Sequence, residues 1–353
     1  MSTVRSIALV GAGVIGKQHG LVISQLADRL RLVAVADLEM ERAEQLAAER
    51  GGRPYRSLTE ALAAEDVDIV AVCTPTGRHA EVAIEALAAG KHVIVEKPAE
   101  ITVQKTDEII DAQQKAGTLV TVISQHRFDP ATETTLAAIE RGELGRLTSG
   151  IASIDWWRGQ SYYDSGDWRG TWDLDGGGAL MNQGVHTVDL LVAALGRPVE
   201  VFAYTGTLAH ERIEVEDVAT GVVRFESGAL GVLHATTAAY PGLSARLQVH
   251  GDRGSAVIDD DELAFFHATP AGTEPEERLM GTTQSVSGAA AGATASSNPG
   301  QLSDAHRLQY LNFLGALDGT ETLRVDLETN RQSIGVITGA YESARTGKPV
   351  KLS

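Results

Sequence analysis

Gly11-Ala12-Gly13-Val14-Ile15-Gly16 stands between the apolar run Ile7–Val10 and a helical pattern, and no other feature restricts the fold of this chain as strongly. A G-x-G-x-x-G run in that setting implies a strand, a tight turn and a helix. The first glycine permits the turn, the second lets a ligand's phosphates approach the backbone, and the third lets helix and strand pack closely. The helix amino terminus then presents a row of N–H groups to anionic charge. The same alternation continues downstream. β-prone runs Arg31–Ala36, Ile69–Val72, His92–Val95 and Leu119–Ile123 are separated by helical stretches such as Glu39–Arg50 and His79–Ala89, and Ser57 with Glu60 forms a capping box. Strand–helix alternation of this kind predicts a doubly wound parallel sheet.

At 353 residues the chain exceeds the size at which one core stops growing, so two domains are expected. Residues 1–124 form the first, an α/β Rossmann domain. After Ser124 the pattern changes to a helical stretch, Ala131–Arg141, and then strands with few helices between them. These are Leu147–Trp157, Val199–Thr207, Asp217–Phe225, Ala229–Thr237, Ala245–His250 and Ser255–Asp259. Such a series predicts an α+β domain over residues 125–353, its mostly antiparallel sheet flanked by a helix at Ala179–Leu195 and late helices at Ser303–Leu317 and Glu328–Arg345. Gly281–Gly300, rich in small residues, is expected to be a mobile loop. No apolar run is long enough to span a membrane, and a net charge of -17 argues against nucleic acid or an anionic membrane as partner. A single cysteine, Cys73, and no basic apolar leader point to the cytoplasm.

Asp37 ends the second strand about 20 residues beyond the glycine loop, where a carboxylate accepts both hydroxyls of a ribose. The loop and Asp37 together define a dinucleotide site. Against a 2′-phosphate about 4 Å away the same carboxylate costs on the order of 4 kcal/mol per unit charge, so NAD is favoured over NADP. Arg42, the nearest cation, is followed by Glu44. Thr74-Pro75-Thr76 follows the fourth strand along the same crevice, and His79 reads as the start of the next helix. Glu96-Lys97-Pro98 follows His92–Val95, which sets Lys97 at the carboxyl end of a buried strand, where ligands of open parallel sheets bind.

A second constellation begins with Gly176-Gly177-Gly178, a flexible run leading into a helix that carries Asn182 and His186 four residues apart, on one face. Histidine titrates near neutrality and can take the proton of a hydroxyl as hydride leaves the same carbon. Asp189 either orients that imidazole or makes a structural hydrogen bond. All four tryptophans, Trp156, Trp157, Trp168 and Trp172, fall in one short segment with Arg158, Tyr162, Tyr163 and Arg169. Aromatic faces suit the C–H faces of a sugar and arginine forks suit carboxylate or phosphate; the alternative is a satellite hydrophobic cluster beneath a long loop. The single thiol and unpaired histidine spacing give no zinc site, and no metal is expected.

These motifs, with Gln125-His126-Arg127-Phe128, Trp168-Arg169 and the closing Tyr341-Glu342-Ser343-Ala344-Arg345-Thr346-Gly347, make the chain resemble the Gfo/Idh/MocA family, named for glucose-fructose oxidoreductase and inositol dehydrogenase. The resemblance implies that Lys97 is catalytic, that the Lys97-Pro98 bond is cis, and that His186 is the acid/base. It also implies that Trp168 and Arg169 lie near the cofactor, that substrate sits between the domains, and that a large open C-terminal sheet mediates homodimers or homotetramers. The expected cofactor-lining set is Gly11, Gly13, Val14, Ile15, Gly16, Asp37, Thr74, Pro75, Thr76, His79, Glu96, Lys97, Gln125, Trp168 and Arg169. Lys97, Arg127, Trp157, Tyr163, Asn182 and His186 are the expected substrate contacts.

One position departs from many of the family's sugar and cyclitol dehydrogenases, which carry aspartate where this chain has Asn182. An amide orients groups but cannot relay a proton. Asn-Gln-Gly-x-His resembles members acting on nucleotide-linked amino sugars or uronates and on anhydro sugars. The expected function is therefore NAD-dependent transfer of hydride between nicotinamide and a secondary hydroxyl of a sugar, anhydro sugar, cyclitol or nucleotide-linked sugar. A non-catalytic sugar-responsive regulator is the alternative, against which the presence of both Lys97 and His186 speaks. Reduction of the biliverdin or dihydrodiol type would call for NADPH, which Asp37 disfavours.

Overall fold

The computed structural model describes residues 4–270, 272–275 and 299–353; the expected loop at Gly281–Gly300 lies, up to residue 298, outside the described residues. The chain forms two compact units. One comprises residues 1–125, 173–176 and 299–331, the other residues 126–172, 177–298 and 332–353. The chain crosses to the second unit after residue 125 and later returns to the first.

In the first unit β1 (Arg5–Val10), α1 (Val14–Gln25), β2 (Leu30–Ala36), α2 (Met40–Arg50), β3 (Arg53–Tyr55), α3 (Leu58–Ala64), β4 (Ile69–Val72), α4 (His79–Ala88), β5 (His92–Val95), α5 (Val103–Ala116) and β6 (Val120–Val122) follow one another. The strands pair in the order β3-β2-β1-β4-β5-β6, all parallel. Central strands covered on both faces must be apolar throughout, and every residue of β4 is buried. The winding reverses between β1 and β4, so the glycine loop and Thr74 start from adjacent strand ends. β3 escapes the sequence pattern because it is three residues long with Pro54 at its centre. Ser57 caps α3 by accepting the Glu60 N–H at 3.2 Å, while the Glu60 carboxylate takes the N–H of Arg56 rather than that of Ser57.

The second unit opens with α6 (Pro130–Glu140), β7 (Leu147–Asp155) and the short α7 (Gln160–Tyr163), followed by α8 (Val185–Leu195). Then come β8 (Pro198–Gly206), β9 (Val218–Phe225), β10 (Leu230–Thr236), β11 (Ala245–Gly251), β12 (Gly254–Asp259) and β13 (Glu262–Ala268). Two long helices, α9 (Pro299–Leu317) of the first unit and α10 (Leu327–Thr346), which passes into the second unit after residue 331, precede β14 (Val350–Lys351). An eight-stranded sheet runs β13-β12-β11-β7-β10-β9-β8-β14, antiparallel except for the β7–β10 pair. Its register divides the side chains cleanly. Ala152, Ile154, Val201, Ala203, Val223, Leu233, Leu247 and Val249 lie on one face, buried with α8 and with Val336, Ile337 and Ala340 of α10. Phe202, Tyr204, Val222, Leu230, Val232 and His234 lie on the other, where Tyr204, Val222, Leu230 and Val232 are exposed.

Three differences from the sequence pattern have physical causes. β13 is reached through a hairpin whose turn residues Asp260 and Asp261 adopt φ of 49° and 65°, a conformation usually signalled by Asn-Gly. α9 belongs to the first unit, where Tyr310, Phe313 and Leu314 complete the core around Ile7, Leu9 and Ile94. The helix expected over Ala179–Leu195 is a π-helical segment, Ala179–Gln183, before α8 begins at Val185. No helix among the described residues is long and apolar enough to cross a membrane.

Candidate active site

The glycine loop divides its labour as the motif requires. Gly11 has φ +98°, and a Cβ there would meet the Cys73 carbonyl oxygen at 2.5 Å; one at Gly16 would run into the carbonyl of Gly11; one at Gly13 would meet nothing within 4 Å. The open side of Gly13 is where backbone can approach a pyrophosphate. The Ala12 N–H donates to Asp37 Oδ2 at 2.7 Å and the Glu39 N–H to Oδ1 at 2.8 Å, which fixes the carboxylate beside the loop. A carboxylate has about four lone-pair sites, so these two bonds leave capacity for ribose hydroxyls. Val14 and Leu38, 87% and 88% exposed, neighbour Gly13 and Asp37 in the chain and offer apolar surface to an adenosine. Arg42 pairs with Glu39 at 2.9 Å instead of standing as an unopposed cation for a 2′-phosphate. The residues present therefore fit NAD.

Thr74 and Lys97 follow β4 and β5 at the same carboxyl edge, and the Lys97-Pro98 bond is cis. Two residues of the expected cofactor-lining set have other partners. His79, buried at the start of α4, places Nδ1 2.8 Å from the Pro98 carbonyl and Nε2 2.9 Å from that of Thr74, and burial lowers its pKa. It ties the two strand-end loops together. Glu96 is buried, with Oε1 2.7 Å from His19 Nε2 and 3.5 Å from His306 Nε2, and Oε2 accepts the Lys97 N–H at 3.0 Å. Burial alone would raise this carboxyl, but hydrogen bonds from His19 and His306 outweigh it and hold the group well below the usual carboxylate range. Its side chain thus anchors the backbone of Lys97. Gln125 is also buried; Pro75 is exposed and Thr76 begins a short 3₁₀ turn.

In the second unit the spacing of Asn182 and His186 crosses the π-to-α junction, since Asn182 lies in the π segment and His186 in the first turn of α8. The last two of the three glycines leading in are not slack. A Cβ at Gly177 would run into the Tyr341 hydroxyl, and one at Gly178 into the Glu216 carbonyl. Burial pushes the Glu216 carboxyl up to about 7 although N–H groups of Leu180 and Gly178 and the Tyr341 hydroxyl pull the other way. Beside His186, ring centroids 4.9 Å apart and nearly perpendicular, stands His126. Burial alone would lower the His126 pKa, but Asp129 and Asp261, 2.7 and 3.0 Å from its Nδ1, together lift it to about 10.

Arg127 and Asp189 pair with each other. The Arg127 guanidinium makes a buried two-point pair with Asp189, at 2.6 and 2.7 Å, and Ser333 Oγ donates to the same carboxylate at 3.1 Å. These bonds accord with the structural reading of Asp189 and tie Arg127 into the fold of the second unit. Tyr163 is likewise buried, its hydroxyl 2.8 Å from Thr237 Oγ1.

The aromatic segment is a built cluster, and part of it reaches Asn182. Arg158 donates to Gln183 Oε1 at 2.9 Å; Gln183 Nε2 donates to Asn182 Oδ1 and to the Tyr162 hydroxyl, each at 3.0 Å. The Arg169 guanidinium lies 4.4 Å from both the Tyr162 and Trp168 ring centroids. Stacking uses the flat faces of a guanidinium and leaves its in-plane donors to bind anions. Trp157 packs edge-on to Tyr240 at 5.4 Å and is partly exposed. Sequence spacing gave no sign of the pairings made by His19, His126, Gln183, Glu216 and Tyr341. His126 and Tyr341 stand inside recognisable motifs, whereas Glu216 carries no local signal.

A six-stranded doubly wound sheet with this glycine loop, Asp37 and a strand-end lysine defines an NAD-binding oxidoreductase. Residues 5–124 match the model of the oxidoreductase family with an NAD-binding Rossmann fold, and residues 132–257 match the GFO/IDH/MocA C-terminal domain. Myo-inositol 2-dehydrogenase of Thermotoga maritima is 30% identical over 267 residues, covering 72% of this chain and 75% of its own length. The WlbA dehydrogenase of Chromobacterium violaceum, solved with NADH and UDP-GlcNAcA, superposes with a TM-score of 0.86 at 33% identity, covering 99% of this chain and 96% of that one. That of Bordetella pertussis, with the same two ligands, gives 0.85 at 32% identity and covers 99% of each chain. The chain belongs to the Gfo/Idh/MocA family of oxidoreductases.

Proposed function

We propose that this protein catalyses the reversible NAD-dependent oxidation of a secondary hydroxyl on a sugar derivative, with Lys97, Asn182 and His186 as its reacting and orienting groups. The observation that carries this reading is the join of the π segment to α8, which fixes Asn182 and His186 on a rigid element of the second unit. Bound NAD supplies the hydride acceptor. His186 takes the hydroxyl proton, and the Lys97 ammonium stabilises negative charge developing on the oxygen. Asn182 orients the ring, its own amide turned by the chain Arg158–Gln183.

Two relatives at 32% and 33% identity hold UDP-GlcNAcA, and this chain has Arg169 stacked on Tyr162 and Trp168. A nucleotide-linked amino-sugar uronate is therefore the first substrate class to test, ahead of anhydro sugars and cyclitols. The exposed apolar row on the open face of the eight-stranded sheet supports association with a second copy of the chain.

Turnover is measured as NADH formation with nucleotide-linked uronates, free uronates, an anhydro sugar and inositols. His186→Ala is expected to lower kcat by about 10²- to 10⁴-fold with NAD affinity unchanged, the usual contribution of a positioned acid/base. Near-normal turnover of that variant removes His186 from the reaction. Silence of the wild-type protein across all four classes, with NAD bound, favours a regulator.

A further inference from the structure

The start of a helix leaves four N–H groups without partners inside the helix, and each must be accounted for when it is buried. Here the account is complete within two residues remote from the segment in sequence. The Gly178 N–H donates to Glu216 Oε2 at 3.0 Å, the Ala179 N–H to the Glu216 carbonyl at 3.0 Å, and the Leu180 N–H to Glu216 Oε1 at 2.8 Å. The Met181 N–H donates to the Tyr341 hydroxyl at 3.1 Å, and that hydroxyl donates to Glu216 Oε1 at 2.9 Å. Only from Asn182 onward do N–H groups find carbonyls inside the segment: Asn182 to Gly178 at 2.9 Å, and Gly184 to Ala179, the wider π spacing, at 2.8 Å. The glycines are the steric complement of this arrangement, since side chains at 177 and 178 would occupy the space of the Tyr341 hydroxyl and the Glu216 carbonyl.

We infer that Glu216 and Tyr341 are positioning residues: they clamp the first four amides of the π segment and so fix the rotational register in which Asn182 and His186 meet the substrate. A π turn holds one residue more than an α turn. Relaxing it to α geometry turns the preceding residues by about 100° around the axis relative to α8, because an α-helix has 3.6 residues per turn. Asn182 stands before the junction and His186 after it, so loss of the clamp separates the two functional groups while leaving the first unit untouched. Neither Glu216 nor Tyr341 is assigned contact with substrate or cofactor. The inference rests on the proposed role of His186.

The test uses the full-length protein with two variants. Tyr341→Phe deletes one oxygen and keeps the ring that packs at 5.2 Å against Trp172; Glu216→Gln keeps one acceptor and turns an NH₂ toward an amide N–H. For folded variants, checked by circular dichroism and thermal melting, kcat with the best substrate of the panel is expected to fall about 10- to 100-fold, as for an ångström-scale misplacement, with the NAD dissociation constant within about twofold. The double variant is expected to lose little more than the worse single one, because both residues serve one clamp. An arm independent of turnover is the ¹⁵N-histidine NMR signal of His186, assigned by its disappearance in His186→Ala, which should shift in both variants. A folded Tyr341→Phe protein with kcat within about twofold of wild type and an unshifted His186 signal overturns the clamp. Normal turnover in His186→Ala overturns the reading of His186 instead, and leaves the signal shift to decide whether the clamp sets the register.

Discussion

Asp37 holds the Ala12 amide of the glycine loop, and in the proposed reading the same carboxylate discriminates NAD from NADP. Replacing it by serine removes the repulsion toward a 2′-phosphate, on the order of 4 kcal/mol per unit charge, and weakens the loop tether. In Asp37→Ser the ratio of kcat/KM for NAD over NADP is expected to fall by about 10²-fold or more; a ratio unchanged in steady-state assays with both cofactors removes Asp37 from the discrimination. The place of Asp37 beside the glycine loop was legible in the sequence because it lies at a fixed distance from the glycines. The partners of Glu96 and Arg127 were not legible, for the opposite reason. Each sits in a recognisable motif, yet each is occupied by a partner remote in sequence, His306 and Asp189, and spacing carries no trace of such pairings.

The hairpin between β12 and β13 shows what element-level patterning can and cannot reveal. Its strands alternate well enough, but the turn uses aspartates in left-handed conformation where glycine or asparagine is the usual signal. The tip then delivers Asp261 to His126, and so joins a sheet corner to the imidazole beside His186. The energetic sign follows from a folded-state pKa of about 10 against 6.5 unfolded. Below about pH 6.5 both states bind the proton and the stabilisation is complete. Between about 6.5 and 10 only the folded state holds it, so stability falls as pH rises. Thermal melts from pH 6.5 to 9.5 are expected to show a steeper decline for wild type than for Asp261→Asn; parallel slopes count against the pairing. The π segment belongs to the same lesson. Its apolar stripe predicted a helix, but the residue that opens the coil by one position, Glu216, lies over thirty residues downstream, beyond any periodicity.

At the scale of the molecule, the alternation of buried and open faces in the eight-stranded sheet was readable from the sequence only as strand content. The register shows which residues share the uncovered side, among them Val222, Leu230 and Val232. Val232→Glu puts a charge in the middle of that row. Light scattering is expected to report a smaller assembly than for wild type, and an unchanged mass would exclude this face from self-association. The path of the backbone carries a further consequence for how such a protein can be taken apart. Because residues 299–331 complete the core of the nucleotide-binding half, a fragment ending at residue 124 would lack Tyr310, Phe313 and Leu314 and leave Leu9 and Ile94 without their packing partners. Neither half is a cassette that can be excised by a single cut or moved by a single recombination event. Swapping substrate specificity by exchanging halves with a relative would need breakpoints on both sides of the returning segment.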